Sequence, residues 1–480
     1  MKREPGRAAP SRRSSGELAD LSATELRRLI GAKEISPVEV VQACLDRVER
    51  YNPTINAIVT LNPRALDDAR ELERRISRGE SVGPLCGLPV GIKDVTEVAG
   101  LRTTYGSPLY KDYVPPEDAV VVRRLRDAGA VILGKTNTPE FAAGGNTFNQ
   151  VFGRTRNPWD ASRSAGGSTG GGAAALATGM VALAQGTDLG GSLRIPASFC
   201  GVVGLRPSVG LVPTYPSDFL WDTLQVTGPV ARTAPDVGLM LQAIAGPSEW
   251  SPLGQPAAGR DFVAAASAGI RPGLRLAYCS DPVGIGVDAD VERVCRKAAL
   301  ELEEAGAHVE VVELDLAFGR PAFLALRGLW FVAQMFPRLD QLERFGPNVA
   351  GNIRAGLATD VRDLGAAEQA RGRIWQVLRQ FFERFDHLLT PTMAVPPFPV
   401  EENYPRTVAG KPMETYVDWI APTFVLGLTG LPIASVPCGL DSAGLPVGLQ
   451  IVGRPFGEEA VLALAQQVQD RGPIGKPKLR

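Results

Sequence analysis

Residues 164–196 read SAGGSTGGGAAALATGMVALAQGTDLGGSLRIP, and this stretch decides the fold. Two Gly-rich loops, each carrying a serine, flank a run of small apolar residues that reads as a helix over 170–185. The first loop, GGSTGGG, lacks the Gly-Lys-Ser/Thr ending that lets a P-loop hold phosphate, so a nucleotide-binding or scaffold role fits it poorly. Its glycines are better explained by a tight backbone lying close to a bound ligand. The second loop, Asp188-Leu189-Gly190-Gly191-Ser192, offers consecutive backbone N–H groups with little side-chain cover. Such a loop can hold a developing oxyanion, with a serine supplied at its end.

Around this stretch, short apolar runs such as LPVGIK (88–93) and AVILGK (130–135) alternate with glycine turns and a helix over 119–129. That alternation predicts an α/β fold with a mostly buried sheet. Upstream, Ser22 with Glu25 and Ser36-Pro37-Val38-Glu39 are helix-start signals for an N-terminal helical layer. Downstream, a helix is expected over 236–246, then a Pro/Gly/Ser-rich surface connection over 246–273. A strand (LRLAYC), a helix after Asp288, a strand (HVEVVEL) and a helix-rich stretch over 322–385 follow. The segments LLTPTMAVPPFP and LPIASVPCGL…GLPVGLQIVG read as strands returning to the first sheet, before a closing helix over 458–470. No repeat is visible. The expected organisation is a disordered basic tail over 1–18 and a single domain over 19–475, within which 250–385 covers the substrate.

Composition narrows the chemistry. The chain has 480 residues with 51 Lys and Arg against 52 Asp and Glu, a net charge of −1, which gives no electrostatic case for nucleic acid or an anionic membrane. The run from 170 to 184 is too short to span a bilayer, and Arg12-Arg13 is not followed by the apolar region of an export signal. The six cysteines form no C-x-x-C pair, as expected of buried, reduced thiols in a soluble cytoplasmic protein. There are only two histidines, His308 and His387, both at strand entries and neither in a motif with a nucleophile. A Ser-His-Asp triad and a His-ligated metal therefore have no support. If Ser192 is a nucleophile, a lysine kept neutral by burial is the next candidate base. Lys93 ends the apolar run LPVGIK; it is either such a base or simply the partner of Asp94.

These segments resemble the amidase signature family of serine hydrolases. Residues 166–197 resemble its signature, and the resemblance extends through LCGLPVGIKDV, GKTNTPEFAAGGNTFNQVFGRTRNPWD, SFCGVVGLRPSVGLVP and GPVARTAPD to SVPCGLDSAGLPVGLQIVG. It covers most of 20–245 and 385–465, while 250–385 matches loosely. It implies one large α/β/α domain with a mixed sheet and a Ser–cis-Ser–Lys triad. The lysine falls on Lys93, the cis-serine on Ser168 and the nucleophile on Ser192. The oxyanion loop falls on Leu189, Gly190, Gly191 and the N–H of Ser192, and the Ala142–Gly145 turn, including Gly144, on the acyl side of the pocket. One departure is Thr169, where many members carry a second serine. Asp188 and Arg194, flanking the loop, read as braces.

The resemblance implies hydrolysis of a small-molecule amide, with esters and carbamates (urethanes) as further substrates, by a monomer or homodimer without metal or organic cofactor. It leaves open a glutaminase subunit of a tRNA-amidating complex. Specificity is expected from 250–385, especially the stretch Leu329-Trp330-Phe331 to Phe336. Some members that bind a carboxylated acyl group have an arginine three residues after the nucleophile. Here that position is Ile195, which implies a neutral, partly apolar acyl group.

Overall fold

In the computed structural model, which describes residues 14–479, the short apolar runs become strands of one sheet. In chain order they are β1 (Ile58–Leu61), β2 (Pro89–Lys93), β3 (Val131–Thr136), β4 (Leu183–Asp188), β5 (Val203–Arg206), β6 (Val226–Ala231), β7 (Arg275–Tyr278), β8 (His308–Val311), β9 (His387–Pro391), β10 (Ile433–Leu440) and β11 (Pro446–Val452). These eleven strands lie in the order β1-β3-β2-β4-β6-β5-β10-β11-β9-β7-β8. β2 runs parallel to β3 and β4, and β7 parallel to β9 and β8. The other pairs are antiparallel, so the sheet is mixed.

Adjacent residues on the late strands enter different cores. Leu388, Ile433 and Val452 pack in one apolar cluster with Phe424 and Trp419, whereas Leu389, Ala434 and Ile451 join another with Leu462 and Val237. The period-two alternation of a strand sends successive side chains to opposite faces, so the sheet divides two cores and the architecture is three-layer α/β/α. β2 and β4, covered on both faces, are buried along their whole length. The helix Pro37–Ile55 starts with Ser36 and Glu39 in a reciprocal capping box, as the sequence predicts.

Four expectations change. The tail expected over 1–18 is shortened, because Ser15–Asp20 is helical behind a Ser14–Glu17 capping box; residues 1–13 lie outside the described residues. The helix expected over 170–185 covers only Gly170–Ala177, and the chain enters β4 at Leu183. A continuous small apolar run carries no periodicity to separate helix from buried strand, and the break falls at Gly179, in the left-handed region at φ 74°. The connection expected over 246–273 holds a short helix, Phe262–Ser267, whose Phe262 is fully buried. The segment 250–385 is more than a cover, since it adds β7 and β8 to the sheet and the helices Gly319–Met335, Pro347–Ala358 and Val361–Arg384. Among the described residues no helix is long and apolar enough to cross a membrane.

Candidate active site

Lys93 closes β2 and Asp188 closes the neighbouring parallel strand β4, so both side chains emerge at the same edge of the sheet. Carboxyl ends of parallel strands are where open α/β sheets place their ligands. Lys93 is fully buried, and its Nζ lies 2.6 Å from Ser168 Oγ and 2.9 Å from Thr187 Oγ1. Asp94 is not its partner. The Asp94 carboxylate faces Lys135, at 3.4 Å, and accepts a hydrogen bond from Thr104 Oγ1 at 2.5 Å. Burial pushes the Lys93 ammonium down to about 7, the Asp188 charge opposing it only in part.

The two serine loops meet at this lysine. The Gly167–Ser168 peptide is cis, and the Thr169 N–H donates to the Ser192 carbonyl at 3.2 Å, tying one loop to the other. Thr169 fits where a smaller residue is common because the adjoining strand position is Gly186, whose Cβ would stand 2.5 Å from the Thr169 methyl. Ser168 and Ser192 line one inner chamber with Ala142, Gly144, Leu189 and Gly190. The chamber encloses about 20 Å³ and shares Phe141, Ala142, Thr187, Gln225 and Trp330 with a vestibule of about 220 Å³.

Asp188, buried beside the loop, meets Arg194 and also Arg206. Arg194 binds it through Nε and Nη2, at 3.0 and 2.9 Å, and Arg206 through Nη1 at 3.2 Å. Burial raises its carboxyl, but the two guanidinium groups and the Leu193 N–H outweigh it and hold Asp188 well below the carboxylate range. Asp188 also accepts the Gly191 N–H at 2.9 Å, which corrects the reading of Gly191 as an oxyanion donor. Gly191 sits at φ 117°, does not line the chamber, and a Cβ there would strike Thr423. Leu189, Gly190 and Ser192 do line the chamber. Asp188→Asn leaves two buried guanidinium groups without their counter-charge, so it is expected to cost about 3 kcal/mol or more of stability, read as a lower denaturant midpoint.

A family comparison agrees with this geometry. The model of the Amidase family matches residues 39–462, which include all eleven strands of the sheet and both serine loops. The chain belongs to that family. An acylamidase of Rhodococcus erythropolis is 38% identical over 431 residues, covering 87% of this chain and 88% of that protein. A glutamyl-tRNA(Gln) amidotransferase subunit of Carboxydothermus hydrogenoformans is likewise 38% identical, over 453 residues, with 88% and 92% covered. Among solved structures, a bacterial aryl acylamidase of the amidase signature enzymes superposes with a TM-score of 0.88 at 31% identity, covering 94% of this chain and 96% of that one.

In this Amidase-family protein the loosely matching segment supplies one wall of the chamber. Trp330 and Phe331 line it from the helix Gly319–Met335, whereas Leu329 and Phe336, expected beside them, are 40% and 70% exposed. Sequence reasoning missed Thr187, Arg206, Tyr416 and Arg327. Arg206 carried a signal, a charged residue closing a strand otherwise built from small or apolar residues. Ile195 lines the chamber, yet Arg327 lines it too. The ground for a neutral acyl group, the absence of a cation, is therefore gone. Neither histidine lines the chamber; His387 is buried on β9 and pushed by burial down to about 4.

Proposed function

We propose that the protein hydrolyses linear amides through an acyl-enzyme on Ser192. The observation that carries this reading is Lys93, a buried amine 2.6 Å from Ser168 Oγ with its ordinary charge partner, Asp94, engaged elsewhere. Neutral Lys93 takes the proton of Ser168, Ser168 takes that of Ser192, and Ser192 Oγ attacks the carbonyl carbon. Backbone N–H groups of Leu189, Gly190 and Ser192 hold the oxyanion. The proton returns through Ser168 to the leaving nitrogen, the C–N bond breaks, and water cleaves the ester by the same relay. Esters and carbamates present the same carbonyl and belong to the proposed range.

The similarity to amidotransferase subunits favours a second reading, release of ammonia from glutamine for a partner enzyme. The lining of the inner chamber counts against it. It contains no aspartate or glutamate to pair with the ammonium group of glutamine. The purified chain alone is expected to turn over para-nitroanilides and para-nitrophenyl esters while releasing ammonia from glutamine at least about a hundredfold more slowly. Glutamine turnover that matches or exceeds the anilides would move the assignment to the amidotransferase side.

A further inference from the structure

Glu97 lines the vestibule, half-buried. Its Oε1 accepts the hydroxyls of Tyr105 at 2.7 Å and Tyr113 at 3.1 Å. Among the described residues nothing donates to its Oε2 and no cation stands at ion-pair distance. The buried Lys135 is engaged by the Thr96 carbonyl, Thr103 and Asp94. The other two charged residues of the lining cancel each other. Arg338 pairs with Asp218 at 3.1 Å, and its Nε donates to the Tyr110 hydroxyl at 2.5 Å. The Glu97 charge is left over, in a space also lined by the rings of Tyr105, Tyr110, Phe141 and Trp330. The Tyr105 centroid lies 5.1 Å from that of Tyr110 and 5.6 Å from that of Phe141. Two of these rings give their polar hydrogen to a carboxylate, Tyr105 to Glu97 and Trp330 Nε1 to Asp222 at 2.6 Å. Such donation enriches the ring face in electron density, and an electron-rich face attracts a cation. The vestibule also lies on the side of the departing nitrogen. It shares Thr187 with the inner chamber but not Leu189, Gly190 or Ile195. Thr187 Oγ1 stands 2.9 Å from Lys93 Nζ, the end of the relay that returns a proton through Ser168.

We propose that Glu97, with the rings of Tyr105 and Tyr110, binds an ammonium group carried on the leaving-amine portion of the substrate. The class of substrate is then a diamine acylated on one nitrogen, with an aromatic or short aliphatic spacer between the two nitrogens. The acylated nitrogen faces Ser168, and the free ammonium reaches into the vestibule toward Glu97 Oε2. A neutral leaving group gains one ordinary hydrogen bond there at most, so the charge of the amine sets the discrimination. Glu97 is a specificity residue in this scheme and takes no part in the proton relay. The inference rests on the hydrolase reading above for which part of the substrate leaves, so its test is a binding measurement that needs no turnover.

The test titrates para-(aminomethyl)acetanilide and para-(hydroxymethyl)acetanilide into the Ser192→Ala protein by calorimetry at pH 7. The two ligands have nearly the same shape, and only the first carries a charge. The ammonium ligand is expected to bind at least about fivefold more tightly, as a charge-assisted hydrogen bond beside aromatic rings should allow. In Ser192→Ala/Glu97→Gln the preference is expected to vanish, while glutamine keeps an acceptor for the two tyrosine hydroxyls. If that double variant does not fold, Tyr110→Leu on the Ser192→Ala background removes one ring, and the preference is expected to fall at least about twofold. Equal affinity for the two ligands, no measurable binding of the ammonium ligand, or a preference that survives these substitutions overturns the proposal. Failure of the hydrolase reading shows separately, as absence of turnover by the unmodified enzyme.

Discussion

Ser192→Ala is expected to lower amide turnover by at least about 10⁴-fold, the scale on which losing the nucleophile of a coupled serine relay is felt. The fold should survive the change. Ser192 joins the two loops through its backbone carbonyl, which accepts from the Thr169 N–H and is kept by alanine. Phenylmethylsulfonyl fluoride should label one serine in the unmodified protein and none in the variant, with thermal unfolding within about 2 °C of the parent. Residual turnover within a hundredfold of the parent, or labelling that persists on another serine, would remove Ser192 from the role.

Lys93→Met should give the second largest loss, and an unequal one. An amide nitrogen leaves only with a proton, whereas para-nitrophenolate departs without it, so a residue that returns the proton through Ser168 matters more for the amide. With a matched amide and para-nitrophenyl ester, the fall in kcat/KM is expected to be at least about tenfold greater on the amide. Stability should move the other way. Lys93 titrates near 7 in the folded protein and at about 10.4 in an unfolded chain. Between those values the unfolded state binds more protons, so the wild-type protein gains stability as pH rises from 7, and below pH 7 the full penalty of burying the ammonium applies. Methionine removes that penalty and leaves two hydroxyls short of a partner. The variant is therefore expected to unfold at no lower temperature than the parent at pH 6. Equal losses on both substrates together with a lower unfolding temperature would make Lys93 a structural residue only.

Much of the site was legible because its chemistry is written in adjacent residues. The DLGGS loop and the GGST loop are contiguous, and Lys93 ends an apolar run where a solvated lysine has no place. The pairing of Lys93 was not legible. Asp94 adjoins it in sequence, but successive residues leaving a strand point apart, and Lys135, which Asp94 does meet, comes from β3. Gly191 was misread for a related reason, since a run of glycines shows how many N–H groups are available and not which one a buried carboxylate takes. The end of the small-residue helix at Ala177 was hidden because alanine and glycine serve a buried helix and a buried strand alike. Arg327 was out of reach of any local pattern. Its place in the chamber wall, packed across Phe323, Phe331 and Tyr416, comes from distant segments brought together only by the fold.

The central claim, that a neutral Lys93 activates Ser192 through Ser168, is tested most directly by the rate of Ser192 sulfonylation against pH. Fluoride leaves phenylmethylsulfonyl fluoride without needing a proton, so this rate reports nucleophile activation apart from leaving-group chemistry. In the unmodified protein the rate constant should rise through an apparent pKa near 7 and then level off, following deprotonation of Lys93. In Lys93→Met it should be slow and free of that inflection. A flat profile in the unmodified protein, or the same inflection in the variant, would contradict the account.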